Sequence, residues 1–239
     1  MKKPRFILPP HPNPHMRIRR EDLPLYESMG KYVAQRKFNG THTVLWIYQD
    51  QVVIWDRRGI TMTFYRLTEG MNKCLLRLNR DPSKELVMAG EVLHTKAKSK
   101  ITDKQEATNT ICLFDVLMYG DYLTKLTQVD RLELLKEICR DPINLEPAKF
   151  PGATQRALMV NQQDEATLWL AETFTEEFQY HYDECCTDQT DKQGRDRYHE
   201  IEGLVLRQKD SKIRIGQHGV GDVDWLVRCR KPKDKMYRF

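Results

Sequence analysis

Lys37-Phe38-Asn39-Gly40 sets an amine beside an amide and a glycine, directly ahead of a β-branched and aromatic run. A lysine amine is a nucleophile only when neutral, and an unperturbed one, with a pKa of about 10.4, is almost wholly protonated near neutral pH. Such a lysine needs positive charge or partial burial around it. Basic residues gather at Arg17, Arg19 and Arg20, at Lys96, Lys98, Lys100 and Lys104, at Lys209, Lys212 and Arg214, and at Arg228, Arg230, Lys231, Lys233 and Lys235. Four such clusters interleaved along the chain favour a phosphate-rich ligand. Strict alternation over residues 223–230 puts Arg228 and Arg230 on one strand face. His181, Cys185, Cys186 and His199 make a poor zinc site because adjacent cysteines have the wrong spacing. Gly216, Gly219 and Gly221 lack the Gly-Lys-Ser/Thr of a phosphate loop and read as a turn.

The elements that must position these residues follow from periodicity. Residues 43–48 and 51–55 are strand-forming runs separated by Gln49-Asp50, a hairpin that leaves Lys37 at a strand entrance. Leu67, Met71, Cys74, Leu75 and Leu78 recur at helical spacing. Residues 86–93 and 111–117 suit buried strands around a lysine-rich loop. Asp130 is expected to cap a helix with Leu132, Leu135, Ile138 and Cys139 inside, and a second helix is expected from near Asp164, burying Ala166, Leu170, Phe174 and Phe178. A polar loop over 183–200 precedes strands at 203–207 and 223–230. Prolines 4, 9, 10, 12, 14 and 24 predict an irregular arm over residues 1–30. The simplest partition is one α+β domain over residues 1–239.

Composition narrows the setting. A chain of 239 residues is long enough for a full core, and a net charge of +5 permits an anionic partner. Six cysteines without paired spacings read as free thiols in a reducing compartment. No apolar run approaches the ~18 residues of a membrane span and no signal-peptide core precedes the prolines, so a soluble, cytoplasmic protein with no membrane partner is expected.

The order of segments resembles that of the covalent nucleotidyltransferases, the superfamily of ATP-dependent DNA ligases, RNA ligases and mRNA-capping guanylyltransferases. The resemblance covers about residues 35–231. Lys37-Phe38-Asn39-Gly40 looks like the nucleotide-attachment motif, and Asp56-Arg57-Arg58-Gly59 is similar to the Ser-Arg-x-Gly that follows it in ligases. Gly90-Glu91-Val92-Leu93 resembles the third motif and Leu113-Phe114-Asp115-Val116-Leu117 its aromatic companion. Glu202-Gly203-Leu204-Val205-Leu206-Arg207 resembles the fourth, and Arg228-Cys229-Arg230 stands where the family has Lys-x-Lys.

The resemblance implies a ligase-type adenylyltransferase domain, with antiparallel sheets flanked by helices, that uses ATP and Mg²⁺ (or Mn²⁺). It implies AMP carried on Lys37, with Arg228 and Arg230 supplying charge and holding phosphate oxygens. Arg57 would contact the ribose or α-phosphate, Glu91 the ribose hydroxyls, Phe114 the adenine face and Gln35 the adenine edge. Glu202 would bind the metal ion. Asn39 stands in the nucleotide motif where DNA ligases commonly have aspartate, and His42 stands where they commonly have arginine. The Gly-Thr-His order leans toward RNA ligases, whereas Arg57-Arg58-Gly59 and Phe114-Asp115-Val116-Leu117 lean toward DNA ligases, so both sugars stay open. The chain ends about eight residues after Lys231, with no room for the OB-fold domain that usually follows. Arg17, Arg19, Arg20, Lys96, Lys98 and Lys100, with His42, are then expected to hold a nicked duplex of DNA, RNA or hybrid strands, bound by a monomer. A capping-type guanylyltransferase and a catalytically inactive nucleic-acid-binding homologue are the alternatives.

Overall fold

The computed structural model describes residues 2–62, 65–93, 110–140, 146–149, 156–163, 166–186, 201–214 and 222–230. The basic residues at 96–104 and 231–235, most of the polar loop (187–200) and the glycines at 216–221 lie outside them. The described residues form the expected α+β fold, and none of their helices is long and apolar enough to cross a membrane.

The N-terminal stretch is more ordered than its prolines predict. It holds strands β1 (His11–Pro12) and β2 (Arg17–Ile18), a 3-10 turn at Arg20–Asp22 and helix α1 (Leu23–Ser28). Pro24 is tolerated in the first turn of α1, where an N–H would have no intrahelical partner. Strand β3 (Tyr32–Phe38) passes through Asn39-Gly40 into β4 (Thr41–Tyr48), which forms the expected hairpin with β5 (Gln51–Asp56). Helix α2 (Glu69–Leu78) is capped by Thr68, whose hydroxyl accepts from the Met71 amide at 3.2 Å, and buries Met71, Cys74, Leu75 and Leu78. The apolar runs become β6 (Leu86–Leu93) and β7 (Thr110–Tyr119), with β8 (Asp121–Tyr122) folded back on β7.

Helix α3 (Gln128–Arg140) is capped one turn earlier than expected. Thr127 Oγ1 accepts from the Asp130 amide at 3.2 Å, while the Asp130 carboxylate accepts from the Thr127 amide at 2.9 Å. The two form a reciprocal capping box with Asp130 inside the helix. The expected helix from Asp164 is instead strands, after β9 (Glu146–Lys149) and β10 (Arg156–Gln163): β11 (Ala166–Leu170) and β12 (Thr173–Phe174), with helix α4 (Phe178–Cys186) starting only afterwards. Ala166, Leu170, Phe174 and Phe178 imitate a helical face by their spacing. Leu168, Trp169 and Leu170 are nevertheless buried in succession, the pattern of a strand covered on both faces, and β11 lies parallel to β7. Strand β13 (Ile201–Gln208) is longer than expected, and the last strand is interrupted at Asp224-Trp225, giving β14 (Asp222–Val223) and β15 (Leu226–Arg230).

A large sheet runs β5-β4-β6-β7-β11-β10-β9, with β8 beside β7, and a smaller one runs β12-β3-β13-β15-β2. Strand pairs are antiparallel except β7 with β11, β15 with β2, and the separate pair β1 with β14. Helices α2 and α3 bury Met71, Leu75, Leu135 and Ile138 against the large sheet. Helices α1 and α4 bury Leu23, Phe178 and Tyr182 against Ala34, Phe38, Leu204 and Val227 of the small sheet. Cys74, Cys112, Cys139 and Cys229 are buried in these cores as thiols, outside any disulfide. The β3–β4 connection joins the two sheets, and the face of the small sheet opposite α1 and α4 borders the cavity described next.

Candidate active site

Three strands of the small sheet bring the basic residues together by register alone. Lys37 on β3 lies opposite Gly203 on β13, which lies opposite Arg230 on β15; two residues along, Gln35, Val205 and Arg228 line up in the same way. Side chains in register share a face, so Lys37, Gln35, Arg228 and Arg230 point the same way, as the alternation in the sequence predicts for the two arginines. Glu202 would face the other side of a regular strand. The register shifts between Ile201 and Gly203, leaving Glu202 as the extra residue of a β-bulge. Its carboxylate thereby reaches the Lys37 face, where one oxygen accepts from Lys37 Nζ and the other from the Arg230 guanidinium. Burial pushes the Glu202 carboxyl upward, but the charges and hydrogen bonds of Lys37 and Arg230 outweigh it and hold it below the usual value.

Gly203 makes that bulge possible. Its φ is +139°, and a Cβ there would lie 2.0 Å from the Cys229 carbonyl oxygen. Gly40 has a matching role on the other sheet. A Cβ at Gly40 would lie 2.3 Å from the Val92 carbonyl oxygen, and its amide donates to Glu91 Oε1 at 3.1 Å.

The large sheet supplies the facing wall. His42 on β4 is directly opposite Glu91 on β6, and the Phe114 ring on β7 meets the His42 ring edge-on with centroids 5.3 Å apart. Burial pushes the Glu91 carboxyl up to about 7, with Glu202 adding to the rise and Lys37 and the Gly40 amide opposing it. Burial pushes His42 down to about 3, helped by the charges of Arg207 and Lys37, so His42 is neutral at physiological pH. Its Nε2 is buried with no hydrogen-bond partner among the described residues. The Arg207 guanidinium sits 5.2 Å from the Phe114 ring centre and 3.6 Å from Asp115, which also holds the fully buried Arg131 of α3 at 3.0 Å.

These walls enclose a cavity of about 480 Å³, of the size that takes a nucleotide. Of the residues expected from the sequence, Gln35, Lys37, His42, Arg57, Glu91, Phe114 and Arg228 line it, while Glu202 joins through Lys37 and Arg230 through Glu202. Asn39 sits in the β3–β4 turn beside the lining. His42, expected at the nucleic-acid surface, faces the cavity. Arg17 pairs with Arg228 across β2 and β15, Arg19 is exposed, and Arg20 is tied to Asp183 of α4. Lys96, Lys98 and Lys100 lie outside the described residues. Four contributors escaped the sequence reading. Arg207 could have been found from its period-two spacing to Gly203 and Val205, but Pro10, His11 and Pro12, which border the cavity mouth, carry no local signal.

No family model and no curated protein matches the chain. Among solved structures it is similar to a mycobacterial DNA ligase D complexed with ATP and MES, at 14% identity over 84% of this chain and 54% of that one, with a TM-score of 0.51. It also aligns with the ligase domain of M. tuberculosis LigD (17% identity, 82% and 52% covered, TM-score 0.47) and with an apo RNA ligase R4a of Naegleria gruberi (15%, 94% and 58%, TM-score 0.43). The first likeness establishes the fold, which is that of a ligase nucleotidyltransferase domain. The chain spans little more than half the length of each of these structures.

Proposed function

We propose that this chain is an ATP-dependent polynucleotide ligase that carries AMP on Lys37 and seals 3′-hydroxyl to 5′-phosphate nicks in duplexes of DNA, RNA or mixed strands. The observation that supports it is the joining of Lys37 and Arg230 through the single carboxylate of Glu202, at the wall of a cavity edged by Arg57, Arg58, Arg207 and Arg228. An unspecialised lysine at a strand end has no use for a bulge that turns a carboxylate onto it.

In the first step the neutral Lys37 amine attacks the α-phosphorus of ATP. A nitrogen–phosphorus bond forms, the bond from that phosphorus to pyrophosphate breaks, and the nitrogen gives up a proton to solvent. A 5′-phosphate oxygen of the nucleic acid then attacks the same phosphorus, and Lys37 leaves as an amine after regaining a proton. Finally the 3′-hydroxyl loses its proton and its oxygen attacks the 5′-phosphate, expelling AMP. Charge develops on phosphate oxygens throughout, which is what Arg228 and Arg230 are placed to stabilise. Glu91 is assigned to the ribose hydroxyls, Phe114 to the adenine face, Gln35 to its edge and Arg57 to the ribose or α-phosphate, with Asn39 supporting the Lys37 turn.

In the free protein Glu202 orients the Lys37 ammonium, and that pair must open before attack. Among the described residues no three His, Cys, Asp or Glu side chains gather as a metal site. Mg²⁺ or Mn²⁺ therefore fits at Glu202 only with nucleotide phosphate oxygens and water completing its shell, a usual arrangement for magnesium. Bound there, the ion would neutralise charge on the phosphates.

The test is incubation with ATP or GTP labelled at the α-phosphate, followed by a denaturing gel. Label from ATP that disappears in Lys37→Ala supports the ligase. Label from GTP alone would identify a capping-type guanylyltransferase, and no label from either would leave a nucleic-acid-binding protein. A panel of nicked duplexes varying the sugar on each side of the nick then assigns the substrate.

A further inference from the structure

Three residues from distant parts of the chain form a hydrogen-bonded line that runs outward from the cavity wall, where Arg57 and His11 lie, to Asp222. Arg57, at the end of β5, approaches His11 Nε2 through Nη1 at 3.0 Å, and His11 Nδ1 lies 3.2 Å from Asp222 Oδ1. The direction of both bonds is forced by chemistry. A guanidinium only donates, so Nε2 must be the bare, accepting nitrogen, and Nδ1 must carry the proton it donates to the carboxylate. The neutral imidazole in this one tautomer satisfies both neighbours. The line is also mechanically anchored, because β1, which carries His11, is paired with β14, which carries Asp222.

Arg57 is exposed at a turn, where a long side chain ordinarily samples many rotamers. His11 engages one of its nitrogens and leaves the rest of the fork beside the cavity. We propose that His11 is a positioning residue: anchored by Asp222, it fixes the Arg57 guanidinium at the cavity mouth to receive a phosphate of the bound nucleotide. The proposal rests on the nucleotide-binding reading above. His11 touches no reacting atom; it limits the entropy Arg57 loses on binding and sets the side from which Arg57 reaches in.

The experiment measures the initial rate of self-labelling against ATP concentration for the wild type, His11→Ala, His11→Gln, Arg57→Ala and the double variant. His11→Ala should raise the ATP concentration for half-maximal rate about tenfold, the size of one charge-assisted hydrogen bond, with the maximal rate within about twofold. His11→Gln should recover most of the loss, because its amide can accept from Arg57 and donate to Asp222. The double variant should be no worse than Arg57→Ala. Additive losses, or an unchanged half-maximal concentration in His11→Ala, would overturn the proposal while leaving the ligase reading intact. Calorimetry with α,β-methylene-ATP, whose bridging carbon blocks transfer, repeats the comparison without catalysis. If the wild type takes no label yet binds this analogue with the same non-additive pattern, the ligase reading fails and the role of His11 stands. If the wild type does not bind the analogue, both fail.

Discussion

Glu91 and His42 face each other across adjacent strands, and burial keeps both uncharged over part of the physiological range by moving their pKa values in opposite directions. For Glu91 the folded value of about 7 lies above the usual 4.5, so the stability it contributes is complete below about 4.5 and is lost as pH rises through 7. The difference in urea midpoint between Glu91→Gln and the wild type should therefore move in favour of the variant between about pH 5 and pH 7.5, then level off. For His42 the folded value of about 3 lies below the usual 6.5, so its contribution holds above 6.5 and is lost as pH falls toward 3. His42→Gln should reduce the acid-induced loss of stability; an unchanged acid profile would show that His42 is not the group being titrated. At this scale Lys37, Glu91, Phe114 and Arg228 were legible because each sits in a short local pattern. His11 was not, since its two partners lie 46 and 211 residues away.

At the level of elements, the site depends on one irregularity. A regular β13 would pair correctly with β3 and β15 and still turn Glu202 away from Lys37. Gly203→Ala forces a Cβ into the Cys229 carbonyl at a backbone angle that side chains rarely adopt, and should destabilise the protein by about 3 kcal/mol or more in denaturant unfolding. Under conditions where the variant remains folded, self-labelling from ATP should fall as well, because Glu202 loses its place beside Lys37. The strands around Lys37 were readable from alternation and β-branching, and α2 from its helical spacing. The 166–178 segment was misread because burial on both faces erases period-two alternation, leaving an accidental spacing of four as the only visible signal. The interruption at Asp224-Trp225 was hidden for a related reason. Val223, Trp225, Val227 and Cys229 alternate well as letters, and only pairing of β14 with β1 instead of with β13 separates them.

For the molecule as a whole, the exposed arginines at 17 and 19 stand at the edge of the small sheet beyond Arg228, a position from which a nucleic-acid backbone could continue out of the cavity. Arg20, held by Asp183, has less freedom to contribute. Replacing Arg17 and Arg19 by alanine, and in a second variant Lys96, Lys98 and Lys100, should weaken nick binding at low salt. The log–log salt dependence should flatten by about one unit for each phosphate that is no longer neutralised. A nick affinity and salt slope equal to those of the wild type in both variants would place the nucleic acid on another face. The pairing of β1 with β14 also bears on how the protein comes into being. During synthesis the β3–β4–β5 segment that carries Lys37 and Arg57 can emerge and fold back early, but His11 waits for Asp222, 211 residues later, and Lys37 for Glu202, 165 residues later. A growing chain thus exposes Lys37 and Arg57 long before β13 and β14 bring the carboxylates that hold Lys37 and His11 in place.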